Sequence, residues 1–329
     1  MSTNTLFPPG PPFQQAATFA ALHSPGTKWV GRAKNYPRMR KVLLLTLLVA
    51  LVGVSCSDFN KAVKSSSIPV KMAAAEKYYA IGAAGSAPGA TRKQKRHAGG
   101  GYERALPLLE ELTALTRGDT LFERVSYLYA RSYFGIKDYV LAGYYLENFS
   151  RTFPTSKYAE ECSFLSAMCQ YKESPEHELD QTSTEAAIDQ FQIFLSQYPN
   201  TGLIDSCNTL IDQLRRKLEK KEFANAMQYV KTRHYEAAGI ALRNFIKKWP
   251  NSRYREEVLY NTLLTDHDLA LYSVDTKKAQ RLAEGMRSFD TFADAFPQGE
   301  LLKDAQRLRD DLTRLQEKLN RTPVTATEP

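Results

Sequence analysis

The residues with the clearest capacity for chemistry lie in one short polar stretch, KESPEHELDQTST, at residues 172–184. It places Glu176, Glu178 and Asp180 beside His177, and these residue types can bind a metal ion or transfer a proton. No HExxH, GxSxG, Walker A or dinucleotide-binding glycine pattern accompanies them. A polar link between two helices is the simpler interpretation. We therefore predict no catalytic residue, no metal site and no enzyme. The enzyme hypothesis would require turnover to be lost when the cluster at 176–180 is mutated.

Cys56 is a second candidate for chemistry, because it ends a stretch with the layout of a signal peptide. Arg40 and Lys41 precede an apolar run from Val42 to Val52, and small residues lead to Cys56. The run is too short for a stable membrane span. The arrangement resembles the lipobox of bacterial lipoproteins, although Gly53 stands where most lipoboxes have Leu. The resemblance implies an S-diacylglycerol and an N-acyl lipid on Cys56, and no other cofactor. The alternative is an ordinary secretory signal with an incidental cysteine.

The segments on either side of this stretch are expected to lack a core. Residues 1–38 are predicted to be a disordered extension or a mis-assigned start, with translation beginning at Met39. Residues 39–55 are then the signal peptide and residues 56–69 a lipidated tether. Residues 321–329 are predicted to be a disordered tail.

The other three cysteines are interpreted as small buried hydrophobic residues. Cys162 and Cys169 are seven residues apart, on one face of a helix, and Cys207 lies beyond the next proline. No CxxC pair or partnering histidine accompanies them, which argues against a metal or redox site. The sequence leaves open whether any of the three form a disulfide.

The helices that would position these residues follow from a repeated pattern. In residues 139–154, Ala142, Leu146, Phe149 and Phe153 form one helical stripe that ends at a proline. Residues 235–250 repeat the pattern, and three weaker copies end near residues 117, 199 and 297. The three spacings between successive prolines are 45, 51 and 47 residues. The pattern predicts five helix pairs, and the charged stretch at 301–319 predicts a terminal capping helix.

The paired spacing also predicts how the helices pack. Ala130, Tyr133, Ala142 and Pro154 stand at offsets that recur from Ala226 to Pro250, and they resemble the signature positions of tetratricopeptide repeats. The expected fold is an all-α, tetratricopeptide-like solenoid over residues 70–320. Residues 83–100 are Gly-rich, Ala-rich and basic, and they are predicted to be a solvated loop inserted in the first turn. Contact of this loop with anionic lipid or lipopolysaccharide is the alternative.

The net charge of +8 does not predict a nucleic-acid partner. Residues 1–56 hold six cations and no acid, and residues 91–97 hold four more cations. The repeat body is therefore nearly neutral, and no basic face that could follow a phosphate backbone is evident.

The lipobox and the five repeats together resemble one family, the BamD (YfiO) lipoproteins of the outer-membrane β-barrel assembly machine. The stretch YKESPEHELDQTSTEAAIDQFQIFLSQYP at 171–199 and CSDFNK at 56–61 look like the Bacteroidetes version. The resemblance implies a non-enzymatic protein anchored to the outer membrane on its periplasmic face. Its implied partners are a BamA-like barrel insertase, other lipoproteins of the machine and unfolded outer-membrane proteins. A periplasmic adaptor that coordinates cell-wall enzymes is the alternative.

Two surfaces are candidates for these partners. The first helices of repeats one and two are expected to form a groove for a peptide with an aromatic side chain and a terminal carboxylate. The groove residues are Met72, Glu76, Tyr79, Tyr127, Arg131 and Phe134. The resemblance implies that the insertase docks on the last repeats, where the exposed candidates are Arg243, Lys247, Lys248 and Arg253.

Overall fold

The computed structural model describes residues 58–321 of the chain. The predictions for residues 1–38, the signal peptide at 39–55, Cys56 and the tail from residue 322 lie outside the described residues. Residues 57–329 form a compact unit of their own. The buried cores described below all lie within this unit, so we expect it to fold without residues 1–56.

Eleven α-helices account for most of the described chain, after a short helical segment at residues 58–64. No strand occurs between residues 58 and 321. The all-α fold with five helix pairs and a terminal helix is therefore confirmed. The helices are α1 (Ile68–Ser86), α2 (Arg92–Leu115), α3 (Leu121–Ile136), α4 (Tyr139–Thr152), α5 (Ala159–Glu173), α6 (Thr182–Gln197), α7 (Ile204–Lys231), α8 (Tyr235–Lys248), α9 (Arg255–Leu271), α10 (Asp275–Ala295) and α11 (Leu302–Arg321).

Each helix packs against the next one in the chain, and α1 also contacts α3, α7 contacts α9, and α9 contacts α11. These additional contacts stack the first helices of neighbouring pairs. The alanines of the repeated stripes and of the tetratricopeptide-like signature positions are buried, with at most 2% of their surface exposed: Ala105, Ala130, Ala142, Ala187, Ala226 and Ala238. Small side chains at these positions allow the two helices of a pair to approach closely.

The second helix of four pairs ends in the same way, before a proline. Phe153, Tyr198, Trp249 and Phe296 each have φ between −123° and −136° and ψ near 62° to 66°. Each donates its backbone N–H to the carbonyl oxygen four residues earlier, and the following proline ends the helix. The predicted proline stops are confirmed.

The residues after these prolines join one pair to the preceding pair. Ser156 Oγ donates to Glu123 of α3 at 2.6 Å, and Thr201 Oγ1 donates to Glu160 of α5 at 2.7 Å. Ser252 donates in the same way to Glu219 of α7. The sequence predicts Ser156 as a helix N-cap, but α5 begins only at Ala159 and has no side-chain cap. The hydroxyl instead links consecutive repeats.

Two segments expected to be irregular are helical. The loop prediction for residues 83–100 is wrong: α1 continues to Ser86 and α2 begins at Arg92, which leaves only residues 87–91 as a turn. Close glycine packing between the helices explains the difference.

The tether prediction is wrong from residue 58 onward, because residues 58–64 are helical and Ala62 is 3% exposed. Phe59 and Ala62 bury against α1, so this segment is part of the core.

The interior is divided into four hydrophobic clusters. The first joins α1 to α5, and the second joins α5, α6 and the first half of α7. The third joins the second half of α7 to α8 and the start of α9, and the fourth joins α9, α10 and α11. Ala305 and Leu312 are the fully buried residues of α11, which closes the stack as predicted. Among the described helices, none is both long and apolar enough to cross a membrane.

Candidate functional site

The predicted groove residues lie on α1 and α3, two helices that contact each other. Met72, Tyr79, Tyr127 and Phe134 all belong to the first hydrophobic cluster. Tyr127 is buried, whereas Met72, Tyr79 and Phe134 are partly exposed. The structure therefore brings the predicted aromatic residues together, and part of each side chain serves to pack the helix pairs.

Arg131 is the central charge of this surface. Its Nε lies 3.3 Å from Glu161 Oε1 of α5, and its guanidinium lies 5.8 Å from the centre of the Phe134 ring. Burial alone would lower the pKa of Arg131, but its interactions with Tyr79, Glu161 and Tyr127 raise that pKa above its ordinary value. Arg131 therefore stays charged at every physiological pH. Its Nε is buried and has no hydrogen-bond partner, so the guanidinium keeps one donor that is not used within the described residues.

Tyr127 connects the aromatic and charged parts of the surface. Its hydroxyl donates to Glu161 Oε2 at 2.9 Å, and its ring stacks on Tyr158 with centroids 4.0 Å apart. Burial, followed by the nearby Tyr79 and Glu161, raises the pKa of Tyr127. The phenol therefore remains a hydrogen-bond donor near neutral pH and holds Glu161 in place.

Sequence reasoning missed Arg124, Tyr158 and Glu161. Arg124 Nε lies 3.3 Å from Glu76 Oε1, and its Nη1 donates to the Tyr158 hydroxyl at 3.0 Å. Arg124 thus adds a second cation, with two-fifths of its side chain exposed. We call the surface formed by the six predicted residues and these three the aromatic groove.

A signal for Tyr158 was present in the sequence. It lies four residues after Pro154, and Tyr254 lies four residues after Pro250. Tyr254 stacks on Phe223 of α7 at 4.1 Å, just as Tyr158 stacks on Tyr127. Aligning the residues after each proline would have identified this recurrent ring pair.

The four predicted docking residues do not form one surface of free cations. Arg243 Nη1 contacts both carboxylate oxygens of Asp266 at 3.2 and 3.3 Å, and Asp266 is 2% exposed. Lys248 pairs with Glu222, and Arg253 lies over the Tyr254 ring at 4.7 Å. Lys247 is exposed and forms no ion pair within the part of the chain that the structure describes. Arg243 therefore has a structural role, since its loss would leave a buried carboxylate without its charged partner.

Arg253 lines a cleft at the start of α9. The cleft has a volume of about 710 Å³ and lies between the α8–α9 and α10–α11 junctions, next to Glu256 and Phe296. Both charge signs are present on its walls, because Arg253 and Arg255 face Glu256. Such a surface suits a partner with polar groups of mixed charge.

The polar link at 172–184 has a folded structure of its own. Gln181 is 5% exposed and donates to the carbonyl oxygens of Glu176 and Leu179 at 2.9 and 3.0 Å. Asp180 accepts from the Thr182 backbone N–H at 3.0 Å, and hydrogen bonding with the Thr182 side chain and then with its backbone lowers the pKa of Asp180. A lowered pKa is the opposite of what a general acid needs. In residues 58–321, no three His, Cys, Asp or Glu residues are grouped so that they could hold a metal ion.

Comparisons with known proteins give two matches. Residues 91–259 match the model of a family described as YfiO, outer membrane lipoprotein. A protein of Aquifex aeolicus named putative outer membrane protein assembly factor BamD is 31% identical over 168 residues. That alignment covers 50% of this chain and 53% of the relative, so it spans about half the length of each. The family match includes α2 to α8 and therefore six of the nine residues of the aromatic groove.

Proposed function

We propose that this chain, which belongs to the YfiO family of outer membrane lipoproteins, is a non-enzymatic component of a machine that assembles outer-membrane β-barrel proteins. The observation that carries the proposal is the family match over residues 91–259, together with the assembly-factor relative. A stack of helix pairs suits the binding of extended peptides. The proposed partners are unfolded barrel proteins, a BamA-like insertase and other lipoproteins of the machine.

Depletion of the protein in its own cells tests this role. The levels of many outer-membrane barrel proteins should fall together, and the protein should co-purify with the insertase from detergent-solubilised membranes. Normal barrel levels after depletion would contradict the proposal. Peptidoglycan synthases as the captured partners would favour the cell-wall adaptor instead.

The aromatic groove is the proposed site for the end of a barrel protein. Arg131 and Arg124 supply two cations beside the rings of Tyr79, Tyr127 and Phe134. A peptide with a terminal aromatic residue can place its ring among these side chains and its carboxylate on Arg131. Glu161 forms an ion pair with Arg131. An incoming carboxylate must therefore displace Glu161 or bind the guanidinium together with it.

A matched pair of peptides tests the groove. A peptide with a free terminal carboxylate should bind more tightly than its amide, and Arg131→Gln should remove that difference. A charge-assisted hydrogen bond contributes roughly 1.5–3 kcal/mol, so the free-acid peptide should bind about tenfold or more weakly to the variant. Arg151→Gln is the control, because Arg151 is exposed on α4, the second helix of its pair, and does not belong to the aromatic groove. Equal affinities of the acid and the amide for the unmodified protein would exclude carboxylate recognition.

The attachment to the membrane is proposed to be the lipid on Cys56. Cys56→Ala should leave an uncleaved precursor or a protein released from membranes, which fractionation and intact mass would show. An unchanged mass and unchanged membrane partitioning would refute the lipid anchor.

A further inference from the structure

The hairpin formed by α1 and α2 ends in a concentrated positive charge. Between Glu76 and Glu103 the chain has five cations and no acid, and four of the cations are Arg92, Lys93, Lys95 and Arg96. These four side chains are exposed, and within residues 58–321 they have no ion pair, side-chain hydrogen bond or ring contact. We call residues 83–97 the basic tip.

The basic tip is held rigidly by glycines that allow the two helices to touch. A Cβ on Gly85 would lie 2.3 Å from the Gln94 carbonyl oxygen, and one on Gly101 would lie 2.5 Å from the Gly82 backbone nitrogen. Thr91 and Gln94 form a capping box that fixes the start of α2. The cations therefore project from an ordered helical end, and they are not spread along a flexible loop.

The position of these cations within α2 is costly in the isolated protein. They occupy the first turns of a helix, where the backbone dipole is already positive and acidic side chains are preferred. The first turn of α2 contains no acidic residue. A negatively charged partner would relieve the repulsion among the four cations and complement the dipole.

The chain enters the described structure at the same end of the hairpin. Val63 accepts a hydrogen bond from Lys71 Nζ at 2.7 Å, whereas Phe59 packs against the Tyr78 ring at 5.6 Å. The segment at 59–63 therefore runs antiparallel to α1, with residue 59 closer than residue 63 to the C-terminal end of α1. At 1.5 Å per residue, Tyr78 lies roughly 12 Å from the end of α1. Residue 58, the first described residue, therefore lies along the half of α1 that leads to the basic tip.

From these observations we propose that the basic tip binds a bilayer surface that carries anionic phospholipid headgroups. The chain belongs to a family of outer membrane lipoproteins, so a lipid surface is available to it. The tip and the N-terminal entry point at one end of the hairpin would meet that surface together. Each cation that reaches an anionic surface strengthens binding about fivefold. The inference goes beyond the proposed assembly role and does not depend on it.

Vesicle co-sedimentation of the unlipidated unit of residues 57–329 tests the inference. The unit should sediment with vesicles that contain phosphatidylglycerol and should remain in solution with vesicles of phosphatidylcholine alone. Replacing Arg92, Lys93, Lys95 and Arg96 with Gln should weaken binding by roughly 600-fold. Gln has a helix propensity close to that of Lys and Arg, so circular dichroism should show an unchanged helix content.

A matched variant separates the tip from overall charge. It removes the same net charge from exposed positions of α11 at the far end of the stack, with Gln at Lys303, Arg309, Arg314 and Arg321. This variant should bind the anionic vesicles like the unmodified unit, and high salt should release both.

Four results would overturn the inference. Two concern the variants: the tip variant binds vesicles as well as the unmodified unit, or the α11 variant loses as much binding as the tip variant. The third is release of the unit from anionic vesicles by inorganic phosphate at constant ionic strength. The fourth is binding of poly-glutamate by a unit that does not bind anionic vesicles. The last would assign the tip to an acidic protein. None of these readouts depends on barrel assembly, so failure here leaves the proposed function standing.

Discussion

Lys71 of α1 is a fully buried lysine whose ammonium group donates hydrogen bonds to two acceptors. Its Nζ donates to Glu111 Oε2 of α2 at 2.6 Å and to the Val63 carbonyl oxygen at 2.7 Å. The Lys71 side chain is 1% exposed, whereas Glu111 remains about half exposed. One side chain thus fastens the segment at 58–64 to the first helix pair.

Lys71→Ala should destabilise the protein and release this segment. The Val63 carbonyl and Glu111 would lose a charged hydrogen-bond donor, which costs roughly 1.5–3 kcal/mol, and the space of the buried Lys71 side chain would be left empty. Urea unfolding at constant m-value should show the loss, and trypsin should cleave faster after Lys61 and Lys64. Lys77→Ala on the same helix is the control, because Lys77 is exposed and its removal should change stability by less than about 0.5 kcal/mol. Unchanged cleavage at Lys61 and Lys64 would show that Lys71 does not hold the segment.

Burial also determines the reactivity of the thiols. Cys162 and Cys169 are free and at most 1% exposed, and burial raises the pKa of each thiol to about 12. At pH 8 roughly one thiol in ten thousand would be ionised in the folded protein. Cys162 and Cys169 should therefore react very slowly with a disulfide reagent in the native state and rapidly in denaturant. Fast labelling without denaturant would contradict their burial.

The same shift predicts a loss of stability at alkaline pH. The unfolded thiols ionise above about pH 9 and the folded ones only near pH 12, so the unfolded state binds fewer protons in this window. The free energy of unfolding should fall by about 1.4 kcal/mol per pH unit for each thiol, beginning near pH 9. Replacing both residues with alanine should make the decline shallower, and an equal slope in that variant would assign it to other groups.

The sequence predicted which residues belong to the candidate surfaces, but it did not predict which residues they contact. The repeat register predicted Tyr79, Tyr127 and Phe134 on one surface, and all three belong to the first hydrophobic cluster. It could not reveal that Glu161 already pairs with Arg131, since that contact joins different repeats. The sequence also suggested that Arg243 is available to a partner, although it pairs with Asp266, which lies 23 residues later in the chain.

Among the elements, the first hairpin depends on a row of glycines at the α1–α2 contact. Gly82, Gly85 and Gly101 are buried there, and a Cβ on any of them would lie within 2.8 Å of the facing helix. Gly100 is the neighbour of Gly101 in the same helix and has no atom within 4 Å of an added Cβ. Substitutions at Gly100 and Gly101 therefore distinguish the effect of glycine on helix propensity from its effect on packing between the helices.

Gly101→Ala should destabilise the hairpin, whereas Gly100→Ala should stabilise it. The Cβ at residue 101 would meet the backbone of α1, and such overpacking costs roughly 1–3 kcal/mol. Alanine at residue 100 should add about 0.5–1 kcal/mol through its better helix propensity. Urea unfolding of the two variants provides the measurement. Stabilisation by both substitutions would mean that the helices can separate without cost.

The contrast between proline and glycine explains which elements were predictable. A proline after an apolar stripe ends a helix locally, so the stops after residues 152, 197, 248 and 295 follow from the sequence. A Gly-rich segment suggests a loop from its local propensity. At residues 83–100 the close contact of two helices outweighs that propensity, and this contact depends on residues of the partner helix.

In the whole molecule, α7 connects two halves of the stack. Cys207, Ile211 and Leu214 on its first half belong to the second cluster, and Ala226 on its second half belongs to the third. The intervening stretch at 215–222 is mostly charged. The helix has 28 residues and is continuous across this stretch. The repeat pattern predicted the helix pairs on both sides of α7, but it gave no sign that one uninterrupted helix joins them.

Continuity of α7 should therefore couple the unfolding of the two halves. Each half retains two of the four clusters, so each should keep a core if the helix is broken between them. Arg216 is exposed and has no ion pair in the described part of the chain, which makes it a site where only the backbone is perturbed. Proline there would remove one helical hydrogen bond and clash with the preceding turn, at a cost of about 3 kcal/mol.

Arg216→Pro should convert one cooperative transition into two, because neighbouring repeats stabilise each other only through a continuous interface. Arg216→Ala is the matched control, since it removes the same side chain and leaves the helix intact. Urea titrations followed by circular dichroism would compare the three proteins. A single transition of unchanged steepness in the proline variant would mean that side-chain contacts alone couple the halves. Two transitions in the alanine variant would mean that the arginine side chain, and not helix continuity, is responsible.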